Sequence, residues 1–123
     1  AFEYGSAFSR ASKAPTPGGE TVFISGTASI DAAGITTNVG LAKPQIEETI
    51  VNVQAVLRDM DCGDGDVVQV MAYCKTHEVE QVFRDLQGKP DWPWVIMICD
   101  VCRHDLLFEI EATVVPQLAD KGA

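Results

Sequence analysis

The chain has 123 residues, enough for one domain that buries roughly two-thirds of its unfolded surface. Its 46% apolar and 22% charged residues exclude disordered and coiled-coil classes. The formal charge of −9 repels phosphate backbones, so we do not expect a nucleic-acid partner. There is no apolar run long enough for a bilayer and no secretory signal pattern, which predicts a cytoplasmic protein without a membrane partner.

The first third of the chain is predicted to be extended. Residues 1–14 carry spaced aromatic side chains, including Phe8, which are typical of an extended arm or edge strand. A Pro- and Gly-rich turn follows at 15–19. Residues 21–30 are predicted to form a strand in which Gly26 marks either a bulge or a close backbone approach. A reversal at 31–34 then leads into a short strand or irregular loop at 35–39.

Two helices alternate with a strand in the middle of the chain. Residues 43–61 form the clearest helix, because apolar side chains recur on one face and Pro44 suits the first turn. A strand is predicted over 66–75. Thr76 is expected to cap a shorter helix that runs through Gln87.

Two carboxylates interrupt an otherwise apolar segment near the C-terminus. Because side chains alternate across a strand, Glu109 and Glu111 share one face with Leu107 and Thr113, and Phe108, Ile110, Ala112 and Val114 share the other. The simplest interpretation is a β-hairpin, with 94–102 running up and 106–115 returning. That register places Glu109 near Cys99.

These elements predict an α+β fold in a single domain over residues 1–123. A single sheet of about five to six strands carries two helices on one face. The other face is too apolar for bulk water and too charged for a sealed core. We therefore expect it to be buried between subunits of a homo-oligomer, around a cleft that solvent can reach.

The four cysteines are expected to be reduced, because three of them lie in apolar strand-like segments. The spacing of Cys99 and Cys102 also occurs in redox and zinc motifs, but residues i and i+3 of a strand point to opposite faces. We predict two packed thiols there. No nucleophile motif, metal site or cofactor fingerprint is evident, so no cofactor and no metal are expected.

Four fragments, together with the order of the elements, resemble the YjgF/RidA superfamily across essentially the whole chain. The fragments are Phe23-Ile-Ser-Gly26, the helix 45–57, Gly65-Asp-Val-Val68 and Glu109-Ile-Glu-Ala112. The resemblance implies a chorismate-mutase-like fold and a homotrimer with a central β-barrel. Three ligand clefts would lie between neighbouring subunits.

The resemblance also implies site residues. Members that hydrolyse enamines and imines use a backbone amide near a Ser-Gly pair, which corresponds to Ser25 and Gly26, and a water-positioning Glu, which corresponds to Glu109. The Arg that grips the substrate carboxylate in those members is replaced here by Trp94. An aromatic ring cannot make the bidentate contact that a guanidinium gives to a carboxylate.

A second resemblance is to the C-terminal half of the chorismatases, which cleave chorismate to pyruvate and a ring acid. It is carried by Phe8-Ser-Arg-Ala11, residues 25–30 and the segment 100–111. In that case Arg10 or Arg103, in place of the arginine that is absent at position 94, would bind the substrate carboxylate, and Glu109 would be the acid.

Each candidate has a structural alternative. Glu109 is either an acid or water-orienting base, or an interface carboxylate paired with a basic residue, and Glu111 is interpreted as an interface or barrel-interior charge. Arg10 either binds an anion at a subunit cleft or is a solvated residue of the arm. For Arg103, at a predicted turn, a surface or inter-subunit salt bridge is favoured over anion binding. Trp94, with Trp92, either closes an apolar pocket over a planar ligand or fills the subunit interface.

Our leading hypothesis is a homotrimer that binds a small carboxylate or planar metabolite in inter-subunit clefts. The lining residues would be Phe8, Arg10, Ser25, Gly26, Trp94 and Glu109, with Arg103 as a further candidate. One alternative is an enamine/imine deaminase or chorismatase-like hydrolase that releases pyruvate. Another is a non-catalytic regulatory subunit.

Overall fold

The computed structural model describes residues 11–16, 19–31, 33–99 and 105–116. The strands are β1 (Ala11–Thr16), β2 (Gly19–Thr27), β3 (Val67–Cys74), β4 (Trp94–Ile98) and β5 (Phe108–Val114). The helices are α1 (Ala42–Asp59) and α2 (His77–Asp85), with one 3₁₀ turn at Asp64–Asp66. In the described residues no helix is both long and apolar enough to cross a membrane.

The five strands form one mixed sheet in the order β1-β2-β5-β3-β4. β5 is antiparallel to both β2 and β3, whereas β3 and β4 are parallel. Helix α1 connects β2 to β3, and α2 connects β3 to β4, so each helix spans a crossover between parallel strands. The predicted α+β fold, with two helices on one face of a single sheet, is confirmed.

The predicted hairpin between the last two strands is wrong. β4 and β5 do not pair, because β3 lies between them. Glu109 is therefore opposite Tyr73 of β3 and not near Cys99 in register. The physical reason is that α2 returns the chain parallel to β3, which leaves the inner position beside β3 for β5.

The helices end close to their predicted limits, for local reasons. Helix α1 ends at Asp59, two residues early, because Asp61 adopts a positive φ of 61° and the Cys62 amide closes onto the Leu57 carbonyl at 2.7 Å. Thr76 caps α2 as predicted, its hydroxyl accepting from the Val79 amide at 3.2 Å. Leu86 is extended, so α2 stops at Asp85.

The core lies between the sheet and the two helices. Phe83 of α2 packs against Phe108 of β5 with ring centroids 5.3 Å apart, and both rings are buried. From α1 the core receives the apolar face predicted from the sequence: Ile46, Ile50, Val53, Val56 and Leu57. Both described helices pack on this one face, so neither covers the opposite face of the sheet.

Candidate functional site

The open face of the sheet is formed by the side chains that alternate with the core residues. The pattern predicted for β5 is confirmed: Phe108, Ile110, Ala112 and Val114 are buried, and Glu109, Glu111 and Thr113 point the other way. We define the open face by these three residues of β5 together with Phe23, Ser25, Met71, Tyr73, Val95 and Met97.

The β2 strand is irregular where it passes the carboxylates. Ile24 pairs with Ala112 and Thr27 with Ile110, so β2 takes three steps where β5 takes two. Ser25 and Gly26 lie between these pairs and contain the one extra residue, which confirms a bulge at the glycine. A bulge interrupts the regular ladder and bends the strand locally.

The Glu109 carboxylate lies directly against Gly26. A Cβ placed on Gly26 would be 2.8 Å from Glu109 Oε2 and 3.1 Å from its Cδ. Both distances are shorter than ordinary van der Waals contact, so the side chain that Gly26 lacks would enter the space the carboxylate occupies. The structure therefore brings together Gly26 and Glu109, with Ser25 beside them.

Tyr73 completes this part of the face. It pairs with Glu109 in the β3–β5 register, and its hydroxyl donates a hydrogen bond to Glu111 Oε1 at 2.7 Å. This hydrogen bond, partial burial and the two nearby carboxylates raise the pKa of Tyr73 to about 12. Tyr73 was not predicted as a site residue. The alternation along β3 indicates that Tyr73 shares a face with Gln69 and Met71. Only the pairing of β3 with β5 makes Tyr73 a neighbour of the carboxylates.

A shallow depression of about 270 Å³ adjoins this cluster. Its wall combines apolar side chains of Phe23 and Met71 with polar groups of Ser25, Gln69 and Glu111. Glu109 lies two residues from Glu111 along β5 and is not part of that wall. The depression is large enough only for a small ligand or for side chains of another subunit.

Trp94 is on the other side of the sheet. Its ring packs edge-on against Phe83 at 4.8 Å, and its Nε1 donates to the Pro90 carbonyl at 3.1 Å. Trp92 is buried beside it and donates to Asp64 Oδ1 at 3.2 Å. Within one subunit Trp94 is therefore not brought together with Glu109. Because β4 is apolar at every position, its sequence did not indicate which alternate residues face the core.

The remaining predicted site residues lie outside the described part of the chain. These are Phe8, Arg10 and Arg103; Cys102 is also outside it. Cys62, Cys74 and Cys99 are thiols, as expected. Burial, with a smaller contribution from the Glu80 carboxylate, raises the pKa of Cys74 to about 11, so it is not a nucleophile at neutral pH.

A buried glutamine holds the segment that leads into β5. Gln45 of α1 is fully buried, and its Nε2 donates to the carbonyls of Asn38 at 3.2 Å and Asp105 at 3.1 Å. Its Oε1 accepts from the Leu107 amide at 2.9 Å. These three bonds tie two loops to one helix, and they fix the start of the strand that carries Glu109.

Comparison with known proteins agrees with this architecture. The sequence profile of the family described as endoribonuclease L-PSP matches residues 5–116. A chorismatase crystal structure is 28% identical with a TM-score of 0.70, and the match covers 86% of this chain and 35% of the chorismatase. The chain therefore spans about a third of the length of that enzyme.

Two smaller proteins share the fold over most of their length. RidA from the Antarctic bacterium Psychrobacter sp. is 20% identical with a TM-score of 0.67, and the match covers 86% of this chain and 85% of RidA. YyfB from Yersinia pestis, a Rid-family protein of unknown function, is 22% identical with a TM-score of 0.61 and 77% coverage of each chain. No curated protein matches the chain in sequence.

Proposed function

Because the chain belongs to the endoribonuclease L-PSP family, within the YjgF/RidA superfamily, we propose that it binds a small carboxylate or planar metabolite in clefts between the subunits of a homotrimer. The observation that carries the proposal is the placement of the Glu109 carboxylate against the Gly26 bulge, on a face that none of the described helices covers. A carboxylate on such a face can meet a ligand or a residue of a neighbouring subunit.

The apolar content of the open face supports the oligomer. Phe23 and Val95 are each 45% exposed and Met97 is 44% exposed, although all three lie in strands of the sheet. Large apolar side chains on the same surface as two carboxylates are typical of an interface that encloses a polar cleft. In the proposed trimer, neighbouring subunits cover these side chains.

Glu109 would carry the chemistry if the bound metabolite is turned over. Its carboxylate can accept a proton from water or orient a water molecule toward an electrophilic carbon of an enamine or imine. Gly26 gives that carboxylate its space, and Phe8, Arg10 and Arg103 are proposed to complete the cleft. In this proposal a carboxylate of the ligand is held by one of the two arginines, since Trp94 cannot supply that contact.

The test is a pyruvate-release assay on freshly generated 2-aminoacrylate and on chorismate, after the mass in solution has been measured. Glu109→Gln should abolish release and keep the trimer mass. Glu47→Gln is the matched control, because it removes one carboxylate from an exposed position on α1 and should leave release unchanged. A monomer mass at micromolar concentration would contradict the proposed oligomer, and full activity of Glu109→Gln would contradict the site.

The chorismatase likeness favours a second candidate function, which is cleavage of a chorismate-like substrate. The same assay separates the candidates, because only this one predicts pyruvate from chorismate. A trimer that is silent on both substrates but is stabilised by carboxylates would be a binding protein. A trimer that no carboxylate stabilises would instead be the regulatory subunit considered above.

A further inference from the structure

We infer that Tyr73 is a specificity-determining residue of the proposed site, and that it selects ligands which present an N–H or O–H donor to the β3–β5 pair. The inference rests on the proposed function, and it concerns a different property, the chemistry of the ligand group that faces Tyr73. That group is distinct from the ligand carboxylate that Arg10 or Arg103 is proposed to bind.

The geometry leaves the Tyr73 oxygen as an acceptor. A phenol has one proton to donate, and the 2.7 Å bond to Glu111 Oε1 uses it. An ionised carboxylate such as Glu111 has no proton to return, so the hydrogen bond has one direction. The outward lone pairs of the Tyr73 oxygen can then only accept.

The neighbouring groups reinforce this polarity. Glu109 is opposite Tyr73 in the register, and Glu111 lies two residues farther along the same face of β5. Ionised carboxylates also accept hydrogen bonds and do not donate them. At this point of the open face, a keto oxygen would meet acceptors, whereas an ammonium, iminium or hydroxyl group would find partners.

Lys75 carries a positive charge in the bend after β3. The alternative to recognition by Tyr73 is recognition of the same ligand group by Lys75. If Lys75 dominated recognition, the ligand group beside Tyr73 would be an acceptor or an anion. The two possibilities predict opposite orders of affinity for ligands that share a carboxylate and differ only at the neighbouring carbon.

Three such probes are L-lactate, L-alanine and pyruvate, which carry a hydroxyl, an ammonium and a keto group at that carbon. Binding to the full chain would be followed by amide chemical shifts of β2 and β5 in ¹⁵N-labelled protein. We expect lactate and alanine to bind about tenfold more tightly than pyruvate, as an added hydrogen bond to a charged or polar cluster predicts. Tyr73→Phe should remove that preference.

Two further variants control for structure. If Tyr73→Phe fails to fold, Glu111→Gln is used in its place, and it should reduce the preference for alanine over pyruvate. Thr21→Val removes a hydroxyl from β2 far from Glu109 and should keep the preference. A purely structural Tyr73 would weaken all three probes together, so the ratio of affinities is the decisive quantity.

Equal affinities for the three probes, tighter binding of pyruvate, or an unchanged ratio in Tyr73→Phe would overturn the inference and leave the proposed carboxylate site intact. If none of the probes shifted any amide of β2 or β5, both the inference and the proposed carboxylate site would fail.

Discussion

The Gly26 backbone and the Glu109 carboxylate occupy adjoining space, such that a Cβ on residue 26 would be 2.8 Å from Glu109 Oε2. The clash would be with the far end of a flexible side chain and not with backbone. Folding and site geometry should therefore respond differently to a change at Gly26, because the carboxylate can rotate away at low energetic cost while losing its position.

Gly26→Ala should keep the fold and lose the site. We expect the free energy of unfolding to change by no more than about 1 kcal/mol, because Glu109 can move aside. Ligand binding or pyruvate release should fall on the order of 100-fold, the usual effect of displacing a reactive group by about 1 Å. Gly65→Ala is the control, since a Cβ there meets no atom within 4 Å. Equal activity of the two variants would show that the position of Glu109 is unimportant.

Tyr73 should ionise late in alkaline solution. The hydrogen bond to Glu111 raises the pKa of Tyr73 to about 12, from a usual value of 10.0. Absorbance of tyrosinate should show this delayed step, and Glu111→Gln should return it toward the usual value. Because the raised pKa belongs to the folded state, its stabilisation is present below pH 10 and is lost as the pH rises toward 12. Ionisation of Tyr73 near its usual pKa of 10.0 in the wild type would contradict the contact.

Thiol reactivity should follow burial. Cys62 and Cys74 are buried, and the pKa of Cys74 is raised to about 11, whereas Cys99 is half-buried at the end of β4. With iodoacetamide at neutral pH, we expect Cys99 to be modified first, and Cys62 and Cys74 only after denaturant is added. Peptide mass mapping distinguishes the sites. Modification of Cys74 before unfolding would mean that the contact between α2 and the sheet opens readily.

Gln45→Leu should destabilise the chain strongly. The change keeps the volume but leaves the Leu107 amide and two loop carbonyls without their buried partner, at a cost of about 2 to 4 kcal/mol. Urea denaturation measures this loss. Gln54→Leu, on the same helix, removes one long, exposed hydrogen bond of 3.4 Å to Asp64 and should change stability by less than about 0.5 kcal/mol.

The endoribonuclease description of the family makes RNA binding a direct test of the charge argument. At a formal charge of −9 per chain, we expect no retention of single-stranded RNA at moderate salt. A filter-binding assay with wild type, at salt concentrations from low to physiological, measures it. Tight binding with a steep salt dependence would require a basic surface that the composition argues against.

Features that depend on local periodicity and on backbone chemistry could be predicted from the sequence. The alternation along β5 predicted that Glu109 and Glu111 face away from the core, and the apolar face of residues 43–61 predicted α1. Thr76 predicted the start of α2, and Gly26 predicted the irregularity of β2. Each follows from the spacing of side chains or from the conformation of one residue, so a short window of the chain contains the necessary information.

The neighbours of each strand, and the face of β4 that meets the helices, could not be predicted from the sequence. Residues 94–98 are apolar throughout, so no pattern indicated that Trp94 would pack on Phe83. The insertion of β5 between β2 and β3 depends on contacts far apart in sequence, and it is this insertion that brings Tyr73 beside Glu109 and Glu111. Such pairings are set by the total burial of the folded sheet and not by any single segment. The residues that meet in the site could therefore not be predicted from the sequence alone.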